Sequence, residues 1–178
     1  MTKMSKFFAG ALALTALASH QTAWAQDCVA TEEAEALMTV VMPGGITSLG
    51  QACQAHLPAD AALLNATPYI ENTLTPAARE AFPKAFEAIK TIAGDGLPDG
   101  LGYDDMAPLL DLFIGQELTK GIKPESCGPI NTIIESIQAM TPAQASSMVV
   151  AMVQLASASD PKSFDDLPIC PANVASAE

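Results

Sequence analysis

Apolar residues recur at helical spacing along almost the whole chain. The clearest case is a set of four residues at positions i, i+3, i+4 and i+7, which share one face of a helix. They are Ala34, Leu37, Met38 and Val41. No stretch alternates between apolar and polar residues with the period of two that a half-buried strand requires. The pattern therefore predicts an all-α fold, a compact bundle of six or seven short helices.

Proline and glycine divide this pattern into segments. The Met-Pro-Gly-Gly stretch at 42–45 is predicted to end the first helix, because proline lacks the N–H that a helix interior needs. A second helix would then occupy 46–57, and a shorter piece 60–65. The Thr-Pro pairs at 67–68, 75–76 and 141–142 are typical of helix starts. The final helix, from 142 to about 156, is apolar nearly all round and is expected at the centre of the bundle.

Two longer apolar stripes lie on either side of an acidic, glycine-rich loop. Each stripe indicates an amphipathic helix with one face towards the core, and Pro83 is expected to kink or restart the first of them. The first stripe comprises Ala78, Phe82, Ala85, Phe86, Ile89 and Ile92. The second comprises Met106, Leu109, Leu110, Phe113, Ile114 and Leu118.

The N-terminus has the composition of a secretory signal. Lys3 and Lys6 precede an apolar run at 7–18, and Ala-Trp-Ala at 23–25 matches the small-x-small pattern of a cleavage site. The run is shorter than the roughly 20 residues that span a bilayer. The sequence predicts a signal peptide at 1–25 and an exported chain without a membrane span. The short Ala- and Leu-rich signal favours a bacterial periplasm.

Four cysteines follow the predicted cleavage site: Cys28, Cys53, Cys127 and Cys170. An even number in an exported chain predicts two disulfides. Three pairings are possible, and Cys28–Cys53 with Cys127–Cys170 is favoured because each bond would bracket a local helix hairpin. A zinc site is disfavoured, since the chain has no CxxC pair.

The length after cleavage suits one helical domain at 26–171. Its two halves, 26–93 and 104–171, are joined by the acidic loop 94–103, and a frayed tail is expected at 172–178. Loss of two signal lysines would leave 6 basic against 20 acidic residues, a net charge of −14. Such a chain lacks the clustered Lys and Arg that nucleic acids and anionic membrane surfaces attract.

The sequence GDGLPDGLGYDD at 94–105 raises the question of a calcium site. It is not an EF-hand, because Leu97 and Met106 would occupy positions that require oxygen ligands. A looser calcium site remains an alternative, and its carboxylates would be Asp95, Asp99, Asp104 and Asp105. A turn followed by a helix cap at one of the last two aspartates explains the same composition.

Catalytic patterns are weak in this chain. Cys53 and His56 share a helix face and could form a nucleophilic pair, but a disulfide would consume the thiol. Glu125 could act as the general acid of a small glycosidase. The only support is that it is a glutamate in a small exported domain. The sequence therefore assigns no catalytic residue and favours a non-enzyme.

Three functions are consistent with these features. The leading hypothesis is a non-enzymatic binding or interaction protein of the cell envelope, whose partner is a protein or an apolar small molecule. Flexible methionines can line an adaptable apolar pocket, and the residues proposed for it are Met148, Met152, Ile134 and Phe113. The alternatives are a structural module stabilised by calcium through the aspartates of 95–105, and a small secreted hydrolase. No cofactor other than calcium is implied.

Overall fold

A computed structural model describes residues 28–94, 97–98, 100–159 and 169–170 of the 178-residue chain. The predicted signal at 1–25 and the predicted tail at 172–178 lie outside these ranges. Five helices make up the fold: α1 Thr31–Cys53, α2 Thr75–Ala93, α3 Tyr103–Thr119, α4 Cys127–Gln138 and α5 Pro142–Ser159. Within the described ranges there is no strand, only an isolated bridge between Val29 and Ile169. The all-α class is confirmed.

Short helical turns lead into two of these helices. A single α-turn at Thr67–Tyr69 and a π-helical turn at Ile70–Leu74 precede α2, and a 3₁₀ turn at Pro124–Ser126 precedes α4. In the π-turn, the Thr75 N–H donates to the Ile70 carbonyl, five residues back. These turns belong to the entries of α2 and α4 and do not form separate helices.

The number of helices is five, not six or seven, for two reasons. The first two predicted helices are one helix, because α1 runs through 42–45 without a break. The piece predicted at 60–65 is a series of turns.

Helix α1 continues through Pro43 because packing outweighs local propensity. Proline in a helix interior costs about 3 kcal/mol relative to alanine. Pro43, Gly44 and Gly45 are all buried between α1 and its neighbours, and the Thr47 hydroxyl donates to the Pro43 carbonyl at 2.9 Å. Pro83 likewise lies inside α2 without ending it. Burial accounts for Pro43, whereas Pro83 is exposed.

Helix α1 forms the centre of the molecule and packs against α2, α3 and α5. Its first half shares one core cluster with Phe82 of α2, and its second half shares another with Ile134 of α4. The prediction of a central last helix was wrong. Helix α5 packs mainly on one side of α1, so Met152 and Leu155 remain 53% and 71% exposed.

All four cysteines form disulfides, as predicted, but the favoured pairing was wrong. The bonds are Cys28–Cys170 and Cys53–Cys127. The local pairing assumed that each half forms its own hairpin, whereas α1 packs on helices from both halves. Both bonds consequently join the first half of the chain to the second, and each fastens one end of α1.

Helix α1 also bears on the prediction that no segment after the signal could span a membrane. Among the helices described, it is the one long and apolar enough to do so. Half of its most apolar window is buried inside the fold, and a buried core helix meets the same test of length and composition. Its place between α2, α3 and α5 accounts for its apolar character.

Candidate functional site

The most distinctive surface is an exposed apolar face on α3. Leu109, Leu112 and Phe113 are 62%, 62% and 65% exposed. They are spaced i, i+3 and i+4, so they lie side by side on one face of the helix. We call these three residues the α3 face. Single exposed apolar residues are ordinary, but a contiguous group of large ones marks a contact surface.

The way in which α3 packs on α1 explains why this face points outwards. Met106 and Gly115 are the buried residues of α3. A Cβ added to Gly115 would lie 2.5 Å from the Ser48 hydroxyl, and one added to Gly44 would overlap the Asp111 carboxylate. The two helices therefore pack closely at these glycines, which have no side chains to bury. Leu109, Leu112 and Phe113 are left exposed.

A groove runs along this contact, and we call it the α1–α3 groove. It is open to solvent and encloses about 600 Å³. Six of its ten lining residues have polar side chains, although apolar atoms make up the larger part of its surface. The residues that carry its chemistry are Thr47, Ser48, Gln51, Asp111, Gln116 and Thr119.

Asp111 is the charged residue of the groove. The residue is exposed overall, but partial desolvation against α1 raises the pKa of its carboxyl above the ordinary aspartate value, because a charge loses hydration there. Within the described part of the chain, no cation or hydrogen-bond donor pairs with it. This carboxylate is therefore partly desolvated and uncompensated.

A second, smaller pocket adjoins the groove along α1. It encloses about 260 Å³ and is lined largely by Ile46, Leu63, Leu64 and Ile70. The π-turn brings Ile70 to its edge. It shares two residues of α1, Thr47 and Gln51, with the α1–α3 groove.

Of the four aspartates proposed for calcium, Asp95 and Asp99 lie outside the described residues. Asp104 pairs with Arg79 of α2 at 2.6 Å. Asp105 accepts the N–H of Gly102, the N-cap of α3, at 3.0 Å. Among the residues the structure describes, no three acidic, His or Cys side chains are grouped as a metal site requires. Asp105 therefore caps the start of α3 from the first turn of the helix, with Gly102 as the N-cap residue.

The four residues proposed for an apolar pocket are divided between core and surface. Ile134 is buried at 4% exposure, and Met148 packs against the same core cluster. Met152 is 53% exposed, and Phe113 belongs to the α3 face. Helical spacing groups residues on a face but does not say which face meets the core.

The residues considered for catalysis are not assembled into a reactive pair. Cys53 is bonded to Cys127, so it has no thiolate to offer. His56 is exposed in the turn that follows α1, and Glu125 is exposed in the 3₁₀ turn before α4.

Leu112 and Asp111 were absent from the sequence-based candidates. One signal could have indicated Leu112. The run Leu109-Leu110 followed by Leu112-Phe113-Ile114 places apolar residues on more than one face of a single helix. Such a helix has more apolar surface than one neighbour can cover.

Comparison of the chain with protein-family models, with curated proteins and with solved structures finds no match. Any functional conclusion accordingly depends on the geometry of the chain itself.

Proposed function

We propose that this protein is an exported, non-enzymatic binding protein that holds a protein partner on the α3 face. The observation that carries the proposal is the exposure of Leu109, Leu112 and Phe113, three large apolar side chains on one helix face. Apolar surface of this kind is stabilised when a partner removes it from water, at about 25 cal/mol per Å².

Two features support export. The N-terminal stretch has the charge and apolar pattern of a signal. All four remaining cysteines are paired, and disulfides persist in oxidising compartments such as the bacterial periplasm. The periplasm is the compartment we propose.

The shape of the surface favours a protein over a small molecule. Small-molecule sites are concave and typically enclose about 300–1,000 Å³ of mostly apolar space. The apolar pocket beside Ile70 encloses about 260 Å³, and the larger α1–α3 groove is wide open to solvent. The α3 face projects outwards from a helix, which suits the flat or grooved surface of another protein.

Site-specific photo-crosslinking in cells that make the protein tests this proposal. A benzophenone amino acid is placed at Phe113 and, as a matched control, at Ile133, which is 54% exposed on α4. We expect a discrete crosslinked species from position 113 and none from position 133. The species should disappear when Leu109→Ser and Leu112→Ser are introduced together.

Three results would contradict the proposal. The first is the same crosslinked species from both positions. The second is no crosslinked species from position 113. The third is a crosslinked homodimer from position 113, which would show that a second copy of the chain occupies the face.

A further inference from the structure

We propose that the Cys28–Cys170 bond is a site of thiol–disulfide exchange in the folded protein, where a dithiol reductant can open it, and that the Cys53–Cys127 bond is closed to such exchange. We call Cys28–Cys170 the outer bond and Cys53–Cys127 the inner bond. The reductant is defined by its chemistry, a pair of thiols on a small molecule or on another protein. This inference goes beyond the proposed function, because it holds whatever the α3 face binds.

The two bonds differ in burial. Cys53 and Cys127 are 0% and 1% exposed, whereas Cys28 and Cys170 are only partly buried. Exchange requires a thiolate to reach one of the two sulfurs. The folded chain therefore shields the inner bond and leaves the outer bond more accessible.

A reductant could reach the inner bond only by opening the core. Cys53 is the last residue of α1 and Cys127 is the first residue of α4. Both belong to a core cluster that also contains Ile46 and Leu74, which are 3% and 0% exposed. Segments of this kind open with free energies that approach that of global unfolding. In the folded protein the inner bond is therefore open to attack only as often as this cluster opens.

The contacts around the outer bond are local. The Cys170 N–H donates to the Val29 carbonyl at 2.9 Å, and the Cys170 carbonyl accepts the side-chain amide of Gln154 at 3.0 Å. Ile169 forms a bridge with Val29 and packs against the core cluster of the first half of α1. This attachment joins 169–170 to the chain just before α1 and to α5, so it can loosen without separating α1 from α2.

The first turn of α1 also has attachments of its own. Glu32 pairs with Lys84 of α2 at 2.8 Å, and the Ala30 N–H donates to the Glu33 carboxylate at 3.3 Å. Further along α1, Leu37 lies in the core cluster that α1 shares with α2. The helices are therefore expected to stay packed when the outer bond is reduced.

Reduction of the outer bond is a two-electron exchange. A thiolate of the reductant attacks one sulfur, the sulfur–sulfur bond breaks, and the other cysteine leaves as a thiolate and takes up a proton. The second thiol of the reductant then cleaves the mixed disulfide. The protein gains the thiols of Cys28 and Cys170, and the reductant becomes a disulfide. Release of Ile169 uncovers Val29, which is 1% exposed in the oxidised protein.

Timed reduction of the folded, exported protein tests this inference. The protein is treated with dithiothreitol at neutral pH, samples are quenched with N-ethylmaleimide, and mass spectrometry measures alkylation of each cysteine. We expect Cys28 and Cys170 to be alkylated at least about tenfold faster than Cys53 and Cys127, because a buried bond reacts only after the core opens. The matched control is the same reaction in urea that unfolds the chain, where the difference should vanish.

The species that keeps only the inner bond tests the local nature of the release. It should retain its helical circular dichroism. Its amide hydrogen exchange should rise around Val29 and Gln154 and stay unchanged at 46–53. The Cys28→Ala, Cys170→Ala variant produces the same connectivity without a reductant and should give the same pattern.

Three results would overturn the inference. The first is alkylation of all four cysteines at one rate in the folded protein. The second is earlier alkylation of Cys53 and Cys127. The third is loss of helical structure in the species that keeps the inner bond, which would show that the outer bond holds the whole fold. None of them bears on the α3 face, whose test is the crosslinking at position 113.

Discussion

Helices α2 and α3 both pack against α1 and are similar in length, at 19 and 17 residues, but they place their apolar residues in opposite ways. Helix α2 buries five residues: Ala78, Phe82, Ala85, Ala88 and Ile89. Helix α3 buries Met106 and Gly115 and leaves two leucines and a phenylalanine more than 60% exposed.

The α1–α2 and α1–α3 interfaces are formed by different kinds of residue. On the α2 side, Phe82, Ala85, Ala88 and Ile89 lie in the same core cluster as Leu37 and Val40 of α1. On the α3 side, Gly44 and Gly115 let the helix backbones approach. Helix α2 therefore stabilises the fold by burying large apolar side chains. Helix α3 packs closely on α1 at glycines, and its largest apolar side chains remain exposed.

The two phenylalanines give the largest contrast. Phe82 is 5% exposed and Phe113 is 65% exposed. Phe82→Ala should lower the free energy of unfolding by about 3–5 kcal/mol, because it leaves a cavity in the core. Phe113→Ala should change it by less than about 0.5 kcal/mol. Urea denaturation with both disulfides intact measures the difference, and comparable losses would show that the α3 face is part of the core.

Two glycines test the close approach of α1 and α3. Gly44→Ala should lower the free energy of unfolding by about 1–3 kcal/mol, since the new methyl group would collide with Asp111. Gly128 lies in α4 with open space around its Cβ position. Gly128→Ala should raise stability by up to about 1 kcal/mol, because alanine is the better helix former. Thermal melts of both variants should move in opposite directions, and a rise for Gly44→Ala would refute the packing argument.

Asp111 gives a smaller, pH-dependent effect. Its pKa is raised in the folded state by burial, so the native protein holds this proton more tightly than the unfolded chain does. Stability is then lost as pH rises from the ordinary aspartate pKa, about 4, through the raised value. Asp111→Asn should melt at a higher temperature than the native protein at pH 7, and the gap should close below pH 4. A native protein that melts higher at pH 7 would contradict this assignment.

The ion pair between α2 and α3 should have the smallest effect. Arg79 and Asp104 are 2.6 Å apart, but their side chains are 52% and 70% exposed. Exposed pairs contribute about 0–1 kcal/mol, so Arg79→Gln should lower the free energy of unfolding by no more than that. Chemical denaturation at low and high salt measures it. A loss above 2 kcal/mol would mean that this link, rather than the glycine contact, holds α3 in place.

Much of the secondary structure was predictable from the sequence. Helix α2 begins at Thr75 and α5 at Pro142, where the Thr-Pro pairs predicted helix starts. The stop predicted at Pro43 failed because its cost is local, whereas the contacts that offset it come from α2, α3 and α5. Helices that depend on contacts with segments distant in sequence are the hardest to predict from local sequence patterns.

The candidate site was predictable only in part. The helical spacing of apolar residues correctly placed Leu109 and Phe113 on a helix. Spacing shows which residues share a face of that helix, but it does not show which other helices pack against that face. The disulfide pairing failed for a related reason. Cys28 and Cys53 are close in sequence, yet they lie at opposite ends of the 23-residue helix α1, so a bond between them was excluded by the length of the helix itself.

The two disulfides also give the chain a nested covalent topology. The ring closed by Cys53–Cys127 lies inside the ring closed by Cys28–Cys170, and the loop 94–103 belongs to both rings. A protease that nicks this loop would open both rings at once and yet release no fragment, because two bonds would still join the pieces. The molecule can therefore lose the continuity of its backbone without losing its connectivity, and only a reductant would separate α1 from the helices that follow the nick.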